Sequence, residues 1–215
     1  MNFLAHAAPY LDTPVMAMGT CVPDWLSAVD RKIRARRIMA AAHVDDADAV
    51  VAETARGIIA HIDDDRWFHA SERFTTMNLQ LAVELRDQLP GDRGFRPMFV
   101  GHIVIEMLLD AHRQRRHPDV VDRYYAMLRQ ADHRAIEAAV NRITGKPTDA
   151  LAPMIGRFTE SEFLRDYLDS ERLLFRLNQV MKRVSLEALP EALLPWIEAT
   201  DARVGRHYDA LLTPP

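Results

Sequence analysis

Two stretches of this 215-residue chain set metal-capable side chains four residues apart. The first is His61, Asp65 and His69, in HIDDDRWFHA; the second is His102, Glu106 and Asp110, in FVGHIVIEMLLD. Residues four apart stack on one face of a helix, so each stretch, wound as a helix, lines up three side chains that can ligate a divalent ion. The second column lies among Val100, Ile103, Val104, Ile105, Met107, Leu108 and Leu109. A helix apolar nearly all round is a buried one, and a polar line inside a core costs stability unless something pairs with it. An ion held between the columns would do that, which predicts that His61, His102 and Glu106 converge in one ligand sphere. The plainer reading of each column is a solvated helix face, and Asp63 and Asp64 beside Asp65 favour it for the first.

The elements that must position these columns read as helices throughout. Gly is scarce, Ala, Leu, Arg and Glu are plentiful, and strand-like alternation is hard to find, so the expected class is all-α. Residues 1–25 form a helical segment ending near Pro23 and Asp24, and residues 26–42 follow with a basic face from Arg31 to Arg37. Asp45, Asp46 and Asp48 mark a solvated loop or a helix start. Further helices are expected over 47–66, 71–88 (opened by Ser71), 98–112, 119–143 as one or two, 150–183, and 191–212. The segments 89–97 and 144–149 are loops by their Pro and Gly content. Short connections predict one compact helical bundle spanning 1–215.

Composition narrows the function classes. A hydrophobic share of 48% is enough for a sizeable core. A net charge of −4 gives no general electrostatic case for nucleic acid. No apolar run reaches membrane-spanning length, the N-terminal stretch lacks a basic region before its apolar one, and the single Cys21 excludes an intramolecular disulfide; a cytoplasmic location is expected. P-loop, GxGxxG, HExxH, CxxC and GxSxG motifs are all missing. The basic run His112, Arg113, Arg115, Arg116, His117 suits a solvated helix end facing the dipole, or a phosphate contact through Arg113 and Arg116. His6 and Asp24, taken alone, read as a hydrogen-bonded core histidine and a helix cap.

Taken in order, MNFLAH with His6, Asp24 in CVPDWL, GIIAHIDDD with His61 and Asp65, FVGHIVIEMLLD, FLRDYLDSERLLFRLNQVMKRV and HYDALL resemble the acyl carrier protein phosphodiesterases. These are all-helical relatives of the HD-domain metal phosphohydrolases. The sequence departs from that pattern at Ile62, at Phe68-His69, at His102, at Glu106 and at Met107, and the replacements at the acidic positions remain metal-capable. The resemblance implies an HD-like bundle and metal-assisted release of phosphopantetheine from holo-acyl carrier protein, or hydrolysis of another phosphate ester. It implies His61, His102, Glu106 and Asp24 as metal ligands, to which the column spacing adds His69; Asp65 and Asp110 are expected as catalytic carboxylates, His6 as a cavity residue, and Arg113 and Arg116 on the phosphate. Imidazole-rich donors favour Mn, Fe, Zn or Ni over Mg. Two other readings stay open: a non-catalytic helical binding protein that keeps a polar cavity, and a metalloprotein of other chemistry.

Overall fold

The computed structural model describes residues 1–89 and 96–214, and every regular element among them is a helix. In chain order these are α1 (Phe3–Ala7), α2 (Pro14–Val29), α3 (Arg37–Ala41), α4 (Ala49–Ala70), α5 (Glu72–Gln88), α6 (Pro97–Arg116), α7 (Val120–Gln130), α8 (His133–Thr144), α9 (Leu151–Ser161), α10 (Ser170–Arg183) and α11 (Leu194–Leu211). Short 3-10 turns cover Ala8–Tyr10, Phe163–Leu168 and Glu191–Leu193. No helix among the described residues is long and apolar enough to cross a membrane. The contacts define two compact units. The first comprises Phe3–Arg66 and Asp119–Glu162; the second comprises Met1–Asn2, Trp67–Pro118 and the chain from Phe163 onward.

In the first unit, α2 runs through Pro23 to Val29, where the sequence predicts a stop near Pro23. Proline inside a helix costs about 3 kcal/mol, because the hydrogen bond to the carbonyl four residues back, here Gly19, is lost. Full burial of an apolar side chain returns about 1.5–3 kcal/mol each. Cys21, Val22, Trp25 and Leu26, on both sides of Pro23, are all buried, so packing outweighs the proline. The basic run behaves otherwise. Of residues 26–42, only the end of α2 and the short α3 are helical. Arg37 there leaves its own segment to grip Asp63 of α4 through two 2.9 Å hydrogen bonds.

The crossing of α2 over α4 fixes the first unit. Gly19 and Gly57 meet face to face: a Cβ on Gly19 would lie 2.7 Å from the Thr54 carbonyl oxygen, and one on Gly57 would collide with the Met16 carbonyl oxygen and Gly19. Beside the crossing, α4 carries a stripe of Val51, Ala55 and Ile58 at helical spacing, all buried. His61, one turn after Gly57, continues that stripe inward. Phe158 of α9 packs against Trp25 with ring centroids 5.8 Å apart and against Phe3 at 4.8 Å, which anchors α1. The Asp132 side chain accepts hydrogen bonds from the backbone N–H groups of Arg134 and Ala135, and α8 ends at Gly145 in the left-handed conformation.

In the second unit, Ser71 caps α5 by accepting a hydrogen bond from the Phe74 N–H. Helix α6 extends beyond the expected 98–112, from Pro97 to Arg116, and its last turn carries Arg113, Arg115 and Arg116, where cations suit the dipole. It packs against α5, α11 and the 3-10 turn Phe163–Leu168. The Gln114 side chain donates to the Leu164 carbonyl at 2.8 Å, which ties that turn to α6. Of the expected 89–97 loop, Leu89 closes α5, Arg96 precedes α6 and Pro97 is already its first residue; 90–95 lie outside the described residues.

Candidate metal centres

The candidate ligands gather in two groups, His6–His61–Asp65 in the first unit and His69–His102–Glu106 in the second. The spacing of the two columns predicts a single sphere holding His61, His102 and Glu106; the structure instead gives each unit a triad of two imidazoles and one carboxylate.

In the first triad, His61 and Asp65 come from successive turns of α4 and His6 from α1. His6 Nε2 is 3.2 Å from one oxygen of Asp65, and His61 Nε2 is 3.4 Å from the other. Their rings lie nearly face to face, with centroids 4.1 Å apart. His6 Nδ1 faces Asp64 at 3.5 Å. The three aspartates of HIDDD are thus divided: Asp63 binds Arg37, Asp64 backs His6, and Asp65 joins both imidazoles.

Burial and neighbouring charge sort the protons. Burial first, then the charge on His6, drives the His61 imidazole down to about 3, so it is neutral at physiological pH. His6 goes the other way: burial lowers it, but hydrogen bonds to Asp64 and Asp65 outweigh burial and hold it above its ordinary value. Burial raises the Asp65 carboxyl, yet His6 and His61 more than reverse this and keep it ionised. A neutral imidazole and an anionic carboxylate are the protonation states a divalent ion requires. Two donors each about 2.1 Å from an ion stand roughly 3.0–3.5 Å apart, which matches the observed spacing. The donor set therefore fits a divalent metal.

In the second triad, His69 closes α4, and His102 and Glu106 lie one turn apart on α6. Both Nε2 atoms are 3.0 Å from the same Glu106 oxygen. The Met1 α-amino group also donates to that oxygen, at 2.9 Å. Burial raises the Glu106 carboxyl, but the amino group and the hydrogen bonds from His102 and His69 hold it well below the carboxylate range. Phe74 packs against both imidazoles, its ring centroid 5.2 Å from His69 and 5.1 Å from His102. The donors again fit a divalent ion, with Glu106 already shared among three groups.

The remaining candidates fall outside both triads. Asp24 is half-buried on α2, and its carbonyl accepts from Ser27. Asp110 is wholly buried on α6, one turn beyond Glu106. Arg116 binds Asp209 at 2.6 Å and lies over the Tyr208 ring. Arg113 is half-buried on α6, with its Nε shut off from solvent. Sequence reasoning misses two supporting groups. Asp64 reads as one more solvated acid in an acidic run, and no local pattern marks it. Phe74 has a usable signal, since it sits three residues past the Ser71 cap and so begins the buried side of α5. Comparison with protein-family models, with curated proteins and with solved structures finds no match to this chain.

Proposed function

We propose that this protein is a metal-dependent hydrolase of phosphate esters on an HD-like helical scaffold. The observation that carries the proposal is the donor set at His6, His61 and Asp65: a buried neutral imidazole, a second imidazole and an ionised carboxylate within ligand distance of one another. A divalent ion bound there supplies Lewis-acid activation of a phosphoryl oxygen and of water. The chain's own residues do the rest. Asp65 contributes negative charge and aligns both rings. Asp64 and Asp65 hold a proton on His6, and His6 must give up that proton to become a ligand. The phosphodiester that links phosphopantetheine to acyl carrier protein is the first substrate to test, because the resemblance in the His6, His61 and Asp65 segments implies it.

The test is metal content and turnover together. Protein purified without chelator is expected to carry a transition metal and to hydrolyse an activated phosphodiester or holo-acyl carrier protein, with both properties lost in His61→Ala. Metal without hydrolysis would leave a metalloprotein of other chemistry. The donor set gives that second reading its basis, since two histidines and one carboxylate also hold iron in oxygen-activating sites. Protein without metal, and an unaltered His61→Ala variant, would leave only a binding protein.

A further inference from the structure

The basic run between α2 and α3 takes no part in either triad, and three of its cations stand apart. Elsewhere in the first unit Arg37, Arg56, Arg123, Arg129 and Arg142 each face a carboxylate. Lys32, Arg34 and Arg36 make no ion pair and no side-chain hydrogen bond among the described residues. All three are exposed, in a chain whose net charge is −4. An exposed cation is ordinarily just solvated, so a docking role needs more than charge.

Two further observations supply it. The first is that the row is held in shape. The Asp30 carboxylate accepts from the Lys32 N–H at 2.9 Å and the Asp30 carbonyl from the Ile33 N–H at 3.0 Å, which sets the turn leaving α2. Lys146 donates to the Lys32 carbonyl at 3.1 Å. Beyond the turn, buried Ile33 and Ala35 alternate with exposed Arg34 and Arg36, the period of two of an extended chain. Arg37 pins the far end to Asp63. The second observation is Ile38, next along, which is 80% exposed. No other large apolar side chain of the first unit is exposed among the described residues.

An apolar side chain beside a fixed row of cations matches an acidic amphipathic helix. Alternate residues of an extended chain are about 6.6 Å apart, and carboxylates four residues apart on a helix rise by about 6 Å, so an acidic column runs in step with Arg34 and Arg36. A fluid anionic headgroup layer has no use for fixed spacing, and a phosphate backbone presents charge where Ile38 needs apolar cover. We infer that Lys32, Arg34, Arg36 and Ile38 form a docking strip for an acidic helix of a partner protein. The cations draw in and align its carboxylates, and Ile38 covers an apolar side chain at one end. The inference goes beyond the metal reading and does not rest on it, because the strip serves a hydrolase and a binding protein alike.

The probe is a fluorescein-labelled helical peptide of about 20 residues, with glutamates at every fourth position and leucines beside them, read by anisotropy against the full chain. Saturable binding is expected, weakening as salt rises from about 20 to about 150 mM. Arg34→Gln and Arg36→Gln should each weaken it about 2- to 5-fold, and both together about 10-fold. Arg73→Gln with Arg206→Gln removes the same charge from exposed positions in the second unit and should leave binding unchanged. Ile38→Ser should weaken binding several-fold without altering its salt dependence, a response that charge attraction alone does not give. The substituted side chains are all exposed, so unchanged urea midpoints will show that the fold survives. No saturable binding, equal affinity in wild type and the Arg34 and Arg36 double variant, or an equal loss in the Arg73 and Arg206 control would each overturn the inference. So would equal binding of a peptide of the same composition with its glutamates scattered round the helix, or a preference for phosphatidylserine vesicles or an oligonucleotide over the peptide.

Discussion

The imidazoles of the first unit are almost closed to solvent, with His6 and His61 side chains 1% and 6% exposed, whereas His69 and His102 in the second are each 32% exposed. The donor sets are the same; the settings differ. In the buried triad, desolvation decides protonation: one imidazole is forced neutral and the other keeps its proton by leaning on two carboxylates. The open triad borrows little from a core. It is made by a helix end and a half-covered helix face, backed by Phe74, and it shares its single carboxylate with the Met1 amino group. Ligand identity thus sets what each triad can hold, while burial sets how readily it is filled and emptied.

The largest expected effect comes from the crossing that builds the buried triad. Gly57→Ala would drive a methyl into the Met16 carbonyl, and overpacking of this kind costs about 1–3 kcal/mol or more. Gly156→Ala on α9, where a Cβ meets nothing within 4 Å, is the control and should be neutral or stabilising by up to about 1 kcal/mol. Urea unfolding of both variants measures the difference. Equal midpoints would mean that the crossing does not hold His61 in place, and the contrast between the triads would lose its structural cause.

Next in size is the response to chelator. With metal loaded, release in excess EDTA should show two phases: a fast one removed by His102→Ala and a slow one removed by His61→Ala. Loss of a ligand should weaken its site by more than the roughly 10–100-fold typical of groups that only support a ligand. A single phase abolished by either substitution would erase the distinction between buried and open.

A smaller effect is expected at Asp64. If its carboxylate orients His6 through Nδ1, Asp64→Ala should weaken only the slow phase, by about 10-fold, with Asp64→Asn partly restoring it. Among the described residues no carboxylate other than Glu106 pairs with His69 or His102, so the fast phase should be unmoved. Asp64→Ala changing both phases equally would reduce Asp64 to a general stabiliser.

The helices and the candidate ligands were largely legible from spacing, and the grouping was not. Each step of four residues turns about 40° past a full helical turn, so the third member of a column has drifted roughly 80° from the first. His69 therefore leaves the face of His61 and joins α6, and Asp110 leaves that of His102. Completing the first triad takes His6, from α1 more than fifty residues earlier in the chain, and no local period can reveal a partner at that range. Pro23 misled for a related reason. Its local cost is real, but the burial that outweighs it depends on α9, a distant element.

Outside the triads the two units share a device, and it gives the smallest expected effect. In the second, Asp201 accepts from His112 Nε2 at 2.8 Å and from Arg115 at 2.7 Å; in the first, Asp46 lies 3.1 Å from His43 Nδ1 and 2.8 Å from Arg142. Burial raises Asp201, but His112 and Arg115 overcome it; Asp46 is lowered by the Asp48 backbone N–H and then by His43. Both carboxyls therefore titrate below the ordinary aspartate value of about 3.9. A carboxyl depressed on folding binds fewer protons in the folded than in the unfolded chain. Its stabilisation is then full above the unfolded value and is lost as pH falls through the folded one. Asp201→Asn and Asp46→Asn should each lower stability at pH 7 and flatten its fall below about pH 4, measured as urea midpoints against pH. A fall as steep in both variants as in wild type would assign the acid limb to the triads' own carboxylates, and the two units would then differ in acid as they do in chelator.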